Sequence, residues 1–262
     1  MSVLEPGLQR ALAELAATPR LLVTSDFDGT MAPIVNNPAD ARALPEAAAA
    51  LETLASLPET TAALISGRAL AVLRELSGAS AAVQAVGSHG AEFDTGGPER
   101  SDSGNVPGFA HDIDTALLQT ITDTLREIAA DRPGVTVETK PASVALHVRN
   151  ASESDGAAAL ELARTAARSW DAHATAGKAV LEFAVIVTDK GEAVDILRDR
   201  CRATAVLFLG DDVTDEKAFA RLRTGDVGVK VGPGESLAGY RVDSPGDVAE
   251  VLQYLADARS IA

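Results

Sequence analysis

Leu21-Leu22-Val23-Thr24-Ser25-Asp26-Phe27-Asp28-Gly29-Thr30 decides the fold. Its apolar run ends in Ser25-Asp26, the pattern of a buried strand with polar groups at its carboxyl end. The same arrangement recurs along the chain. Ala62-Ala63-Leu64-Ile65 runs into Ser66-Gly67-Arg68, and residues 83–86 run into Gly87-Ser88-His89-Gly90. Ala205-Val206-Leu207-Phe208-Leu209 runs into Gly210-Asp211-Asp212. Helical spacing of apolar residues fills the intervals, at 3–17, 44–57, a stretch ending at Leu76, 190–200 and 246–256. A helix over about 215–222 takes Thr214 as its N-cap, and 227–231 reads as one more strand. Short strands alternating with helices predict a parallel α/β sheet, Rossmann-like, with helices on both faces.

The alternation breaks at 94–108, DTGGPERSDSGNVPG, whose Gly, Ser, Pro and charge read as a linker. Beyond it, 111–130 is helical, 134–138 and 143–149 alternate as half-buried antiparallel strands, 153–168 is helical, and a strand falls at 179–187. This predicts an inserted α+β domain at 95–187, with 1–94 and 188–262 forming the core. In the strand at 143–149, His147 and Arg149 project on one face, opposite Val144, Leu146 and Val148. By the same parity Lys178 and Glu182 share a face, opposite Leu181 and Phe183. If the insert closes on the core, its hinges fall near 94–98 and 187–189.

Acidic residues number 38 and basic ones 23 in 262 residues, a net charge of −15. That balance argues against a nucleic-acid backbone or an anionic membrane as partner. It does not exclude a small anionic substrate held by a few local cations or a metal. Cys201 is the only cysteine, so an internal disulfide and a cysteine-rich zinc site are excluded. MSVLEPGLQR lacks the basic start and apolar run of a signal peptide, and no apolar stretch approaches the ~18 residues of a spanning helix. The expectation is a cytoplasmic protein.

Ligands of open parallel sheets bind beyond the carboxyl ends of the strands. One crevice there would collect Asp26, Asp28, Ser66, Asp211, Asp212 and Asp215. Crowded carboxylates raise one another's pKa, and a hard divalent cation such as Mg²⁺ relieves the repulsion with oxygen ligands. Lys190 opens a helix after the insert and adds a cation.

In this order, these residues resemble the motifs of the haloacid dehalogenase superfamily. Asp26-Phe27-Asp28-Gly29-Thr30 resembles its first motif, Ser66 its second, Lys190 its third, and Gly210-Asp211-Asp212-Val213-Thr214-Asp215-Glu216 its fourth. The insert is similar to the superfamily's α+β cap domain. Leu64 to Arg68, Gly87-Ser88-His89-Gly90-Ala91-Glu92 and Gly210 to Glu216 most resemble the trehalose-6-phosphate phosphatase family within it. Ser143 to Arg149, and Gly177-Lys178 followed by Leu181-Glu182-Phe183, add to the likeness. Where that family often continues with Arg-Pro, this chain has Ala184-Val185.

The resemblance implies Mg²⁺-dependent hydrolysis of a disaccharide phosphate through an aspartyl-phosphate, in trehalose biosynthesis. It implies Asp26 as nucleophile, Asp28 as general acid and base with a raised pKa, and Ser66 and Lys190 as catalytic partners of the phosphoryl group. Asp26, the Asp28 carbonyl, Asp211, Asp212 and Asp215 would surround the metal, with Asp212 and Asp215 acting through water or by holding Lys190. Gly67, Arg68, His89 and Gly90 in the core, and Lys140, His147, Arg149, Lys178 and Glu182 in the insert, would meet substrate. Two other readings stay open: a phosphatase of another sugar phosphate (sucrose phosphate or mannosylglycerate phosphate), and a catalytically silent sugar-phosphate binder. The sequence names no protein partner and leaves the role of His111 open.

Overall fold

A computed structural model describes residues 4–94, 114–186 and 188–261. Residues 95–108 of the expected linker, residues 95–98 of one expected hinge, Val187 of the other, and His111 lie outside the described residues. The chain divides into two compact units, Met1–Ser101 with Thr188–Ala262, and Asp102–Val187.

The elements begin with α1 (Pro6–Ala16), β1 (Leu21–Ser25), α2 (Pro45–Ser56), β2 (Thr60–Ile65), α3 (Leu70–Ser77), β3 (Gln84–Gly87) and β4 (Glu92–Asp94). The second unit holds α4 (Thr115–Ala130), β5 (Thr136–Thr139), β6 (Ser143–His147), α5 (Glu153–Ala166), β7 (His173–Gly177) and β8 (Val180–Ala184). The first resumes with α6 (Lys190–Cys201), β9 (Ala205–Gly210), α7 (Asp215–Phe219), β10 (Val227–Val231), β11 (Tyr240–Val242) and α8 (Pro245–Ser260).

In the first unit a seven-stranded sheet runs in the order β11-β10-β9-β1-β2-β3-β4, parallel throughout except for β4. Chain order reverses between β1 and β9, which makes that gap the topological switch point. Every residue of β1 and β9 is buried. Leu21 and Val23 pack with Leu12, Leu51 and Leu252 of α1, α2 and α8. Leu22 packs on the other side with Val194, Leu197 and Phe219 of α6 and α7. Burial on both faces is why these strands read as continuous apolar runs; each fully buried leucine contributes roughly 2 kcal/mol.

In the second unit, an antiparallel sheet in the order β5-β6-β8-β7 covers α4 and α5 with one face. Val144, Leu146, Leu181 and Phe183 pack there with Ile121, Leu125, Ala159 and Ala163. Trp170 sets its ring edge-on to Phe183 at 5.1 Å, so it packs this core.

The structure corrects several expectations. The strand expected at 179–187 is the second arm of a hairpin, β7–β8, with Lys178 and Ala179 at its tip. Lys178 is therefore a turn residue and shares no strand face with Glu182; Ala179 bends the chain at φ +61°. β6 stops at His147, which leaves Arg149 exposed in the following turn rather than on the face of His147. Thr214 makes no side-chain cap at α7; the Asp212 carboxylate accepts from the backbone N–H groups of Thr214 and Asp215 instead. α1 starts at Pro6 because the Glu5 carboxylate accepts from the N–H groups of Gly7 and Leu8. The edge strands β4 and β11 have three residues each, too few for a periodicity signal.

Candidate active site

Strand register builds the site. Ser25, the last residue of β1, is level with Leu64 of β2 and Leu209 of β9. Asp26, Ser66 and Asp211 thus leave three adjacent strands within a residue of one another. Adjacent strands lie only ~4.8 Å apart, so the three side chains converge. The Asp26 N–H donates to Leu209 O at 2.9 Å, tying the first loop to the switch point.

One cavity of about 510 Å³ opens there, lined by Asp26, Asp28, Ser66, Gly67, Arg68, His89, Lys190, Asp211 and Asp212. Ile34, Val35 and Pro38 complete its wall. Sequence reasoning missed these three, because nothing in an exposed apolar loop marks it as a cavity wall. Gly90 is buried in the adjoining turn. Lys140, His147, Arg149, Lys178 and Glu182 all belong to the second unit.

Lys190 stands at the first turn of α6, buried, with Nζ 2.8 Å from Asp26 Oδ1 and 2.7 Å from Asp215 Oδ1. Asp215 is fully buried and turns Oδ2 to the N–H groups of Asp211 and Asp212. It holds Lys190 and shapes the Asp211 loop. The Asp211 carboxylate lies over Gly29, where a Cβ would come within 2.1 Å of Oδ2, and Gly29 has φ +82°. Only glycine meets both demands. Thr30 Oγ1 donates to Asp211 Oδ1 at 3.3 Å.

Burial pushes Asp26 up to about 7, against the pull of Lys190. Burial and the Asp26 charge push Asp215 up to about 7 as well. Asp211 is raised by burial and by Asp215. Burial alone would lower Lys190, but Asp26 and Asp215 outweigh it and hold the ammonium above the usual lysine range. Asp212 differs: burial would raise it, but the Thr214 hydroxyl at 2.7 Å and nearby N–H groups keep it below the usual carboxylate range.

Asp26, Asp211 and Asp215 each offer an oxygen within 4.8 Å of the others. They form an all-oxygen donor set with more negative charge than Lys190 neutralises. That chemistry fits a hard divalent cation such as Mg²⁺.

Asp28 pairs with a cation: Arg68 Nε and Nη2 donate to Oδ2 and Oδ1, each at 2.6 Å. Arg68 also donates to Pro38 O at 2.8 Å and sits 5.8 Å from the centre of the Phe27 ring.

The GSHG turn braces the neighbouring loop. Ser88 N–H donates to Arg68 O, and His89 N–H to Ser66 O. Ser88 and His89 both take left-handed backbone, φ +49° and +55°. The His89 ring lies against Gly67, where a Cβ would sit 2.5 Å from it. Glu92 accepts from the Ser88 hydroxyl at 2.6 Å and from Leu70 N–H at 3.0 Å, so it pins this turn to the start of α3.

On the second unit's polar face, Glu182 accepts from Lys140 Nζ at 3.0 Å and from Ser143 Oγ at 2.6 Å. His147 Nε2 lies 2.8 Å from Glu138. Glu138 was not singled out from sequence; it precedes His147 on the neighbouring strand, a pairing that spacing alone does not reveal.

An Asp-x-Asp strand end, a serine on the next strand and a helix-borne lysine, meeting a second aspartate cluster across the switch point, define a phosphoryl-transfer fold of the haloacid dehalogenase type. The family profile described as trehalose-phosphatase matches residues 24–245. The chain belongs to the trehalose-phosphatase family. It is 32% identical over 237 residues to the trehalose-6-phosphate phosphatase of Escherichia coli, covering 89% of this chain and 85% of that protein. It is 34% identical over 246 residues to the trehalose-phosphate phosphatase of Mycolicibacterium paratuberculosis, covering 88% and 61%. The chain spans between 19% and 62% of the length of mycobacterial relatives it matches. Among solved structures, trehalose-6-phosphate phosphatase of Aspergillus fumigatus superposes with a TM-score of 0.69 at 26% identity, over 95% of this chain and 97% of that one.

Proposed function

We propose that the chain hydrolyses trehalose 6-phosphate to trehalose and inorganic phosphate, in trehalose biosynthesis. The observation that carries this reading is the meeting of Asp26, Lys190, Asp211 and Asp215 at the switch point, in a chain of this family.

Asp26 is the nucleophile. Its carboxylate attacks phosphorus, and the bond from phosphorus to the sugar oxygen breaks. Asp28 gives a proton to that leaving oxygen, which requires Arg68 to release it. Asp28 then takes a proton from the water that attacks the aspartyl-phosphate, and the bond to Asp26 breaks to free phosphate. Lys190 stays beside Asp26 and balances charge on the transferring group. The Ser66 hydroxyl donates to a phosphoryl oxygen, and Gly67, Arg68, His89 and Gly90 frame the phosphate. Asp26, the Asp28 carbonyl and Asp211 would hold Mg²⁺, with Asp212 and Asp215 outside them. When bound, the cation lowers the repulsion between carboxylate and phosphate.

Residues of the second unit select the sugar. Lys140, His147 and Glu182 along the sheet, with Arg149 and Lys178 in its turns, supply charged and hydrogen-bonding groups suited to a hydroxyl-rich disaccharide. Residues 1–94 with 188–262 serve as catalytic core and 95–187 as the selective cap. Ala184-Val185, where Arg-Pro is frequent in the family, favours a second reading, a phosphatase of another sugar phosphate. No helix among the described residues is long and apolar enough to cross a membrane, which is compatible with a cytoplasmic enzyme.

The test is Mg²⁺-dependent phosphate release from trehalose 6-phosphate, sucrose phosphate, mannosylglycerate phosphate and glucose 6-phosphate. Preference for trehalose 6-phosphate by kcat/KM supports the first reading. Preference for another ester supports the second, and tight binding without release supports a silent binder.

A further inference from the structure

Among the described residues, the charged residues buried as a whole are Asp26, Lys190, Arg198, Asp215 and Lys230. Three belong to the site, and Arg198 pairs with Asp226. Lys230 remains. It interrupts the strand Val227-Gly228-Val229-Lys230-Val231, whose residues are all buried. Burying a lysine is costly unless its ammonium is used.

Register explains where that ammonium goes. Lys230 on β10 is level with Gly210 on β9, the residue before Asp211. Its Nζ donates to the carbonyl oxygen of Asp211 and, at 3.2 Å, to that of Val231. The other side of the same residue is also held: Asp211 N–H donates to Asp215 Oδ2 at 2.8 Å. Asp211 is therefore gripped at its carbonyl by an ammonium and at its N–H by a carboxylate. Its carboxylate lies over Gly29 and within reach of Thr30 Oγ1.

We infer that Lys230 is a positioning residue for the cation site: by pinning the Asp211 carbonyl, it aims the Asp211 carboxylate at the place where a divalent cation binds. The inference rests on the reading of Asp211 as a metal ligand. Lys230 touches neither substrate nor cation. Its effect passes through the orientation of Asp211, so removing it loosens cation binding without removing a ligand. Partners that orient metal ligands commonly matter ~10-fold or more in metal affinity.

The experiment measures Mg²⁺ affinity by titration calorimetry on the full chain, without substrate, so turnover plays no part. Lys230→Met removes the ammonium and keeps most of the stem. Lys230→Gln keeps a neutral donor, and Lys230→Arg keeps charge and donors. Asp211→Asn serves as the ligand control, and circular dichroism confirms folding of each variant. We expect Lys230→Met to bind Mg²⁺ about tenfold more weakly or worse, Lys230→Arg to recover most of the loss, and Lys230→Gln to lie between. Should Lys230→Met not fold, the comparison of Lys230→Gln with Lys230→Arg decides by the same ordering. Folded variants with unchanged Mg²⁺ affinity overturn the inference. So does tighter binding, which would mean that only the loss of a positive charge is felt. If wild type and Asp211→Asn bind Mg²⁺ alike, the reading of the site itself fails, a different result from equality between wild type and the Lys230 variants.

Discussion

Arg68 holds both carboxylate oxygens of Asp28, Nε on Oδ2 and Nη2 on Oδ1, each at 2.6 Å. A planar fork meets a planar carboxylate, a geometry that lysine does not reproduce. Arg68→Lys keeps a cation and loses the fork. We expect kcat/KM for trehalose 6-phosphate to fall by about tenfold or more, because the phosphate loses the forked donor that frames it once Arg68 has released Asp28. Steady-state kinetics on the purified variant check this; wild-type kcat/KM would show that the pair has no part in turnover.

Asp26→Asn removes the proposed nucleophile and keeps the shape of the side chain. Turnover is expected to drop by about a thousandfold or more, and acid-quenched protein should carry no hydroxylamine-labile phosphate. Near-normal phosphate release, with mass spectrometry excluding reversion to aspartate, would assign the nucleophile elsewhere.

The pH dependence has a definite sign. Asp26 and Asp215 are both raised to about 7 by burial, above their unfolded values. Between about pH 4 and 7 the folded state therefore binds more protons at these groups than the unfolded state does. Their contribution to stability is greatest below that window and is lost as pH rises through it. Mg²⁺ favours the ionised carboxylates, so it competes with those protons. We expect saturating Mg²⁺ to raise the melting temperature more at pH 7.5 than at pH 5. An equal rise at both pH values, by differential scanning fluorimetry, would detach the cation from these two aspartates.

Asp226 carries a structural prediction. Its buried carboxylate accepts from both terminal nitrogens of Arg198 and from the N–H groups of Val206 and Arg223. Among the described residues Arg198 Nε has no partner, and Asp226 pairs with both terminal nitrogens of this buried guanidinium. Asp226→Ala should cost about 3 kcal/mol or more in chemical denaturation, with kcat per folded molecule unchanged. A loss under ~1 kcal/mol would mean that the pair barely repays its desolvation.

Glu182 bears on selectivity. Glu182→Gln exchanges the acceptor of Lys140 and Ser143 for an amide. KM for trehalose 6-phosphate should rise several-fold, while kcat/KM for a small aryl ester such as 4-nitrophenyl phosphate stays within about twofold, since a small ester has no sugar to lose contacts with. Equal losses for both substrates would place the effect in the phosphate site instead.

Much of the first unit was legible because β1, β2 and β9 are buried on both faces, and such strands spell themselves out as apolar runs ending in polar residues. The second unit was read less well. β7 is exposed along its whole length, so no alternation marks it, and its hairpin turn took Lys178 out of the strand. Arg149 failed for a related reason: parity holds only while a strand lasts, and β6 ends two residues earlier. Lys230 was visible as a lone charge in an apolar strand, but its purpose depends on which strand lies beside it. Arg68 was singled out for the site, but its pairing with Asp28, forty residues away, depends on strand register.

The sequence by itself determined the alternation of strands and helices in the first unit, the aspartates that follow β1 and β9, and the exclusion of an internal disulfide and a cysteine-rich zinc site. Local propensity and periodicity are properties of neighbouring residues, so a linear string carries them. Tertiary structure alone decided that Lys190 lies between Asp26 and Asp215, that Arg68 takes Asp28, and that Lys230 holds Asp211. Those pairings depend on strand register and on the reversal of strand order between β1 and β9, which bring distant segments within hydrogen-bond reach, and no spacing along the chain encodes that distance.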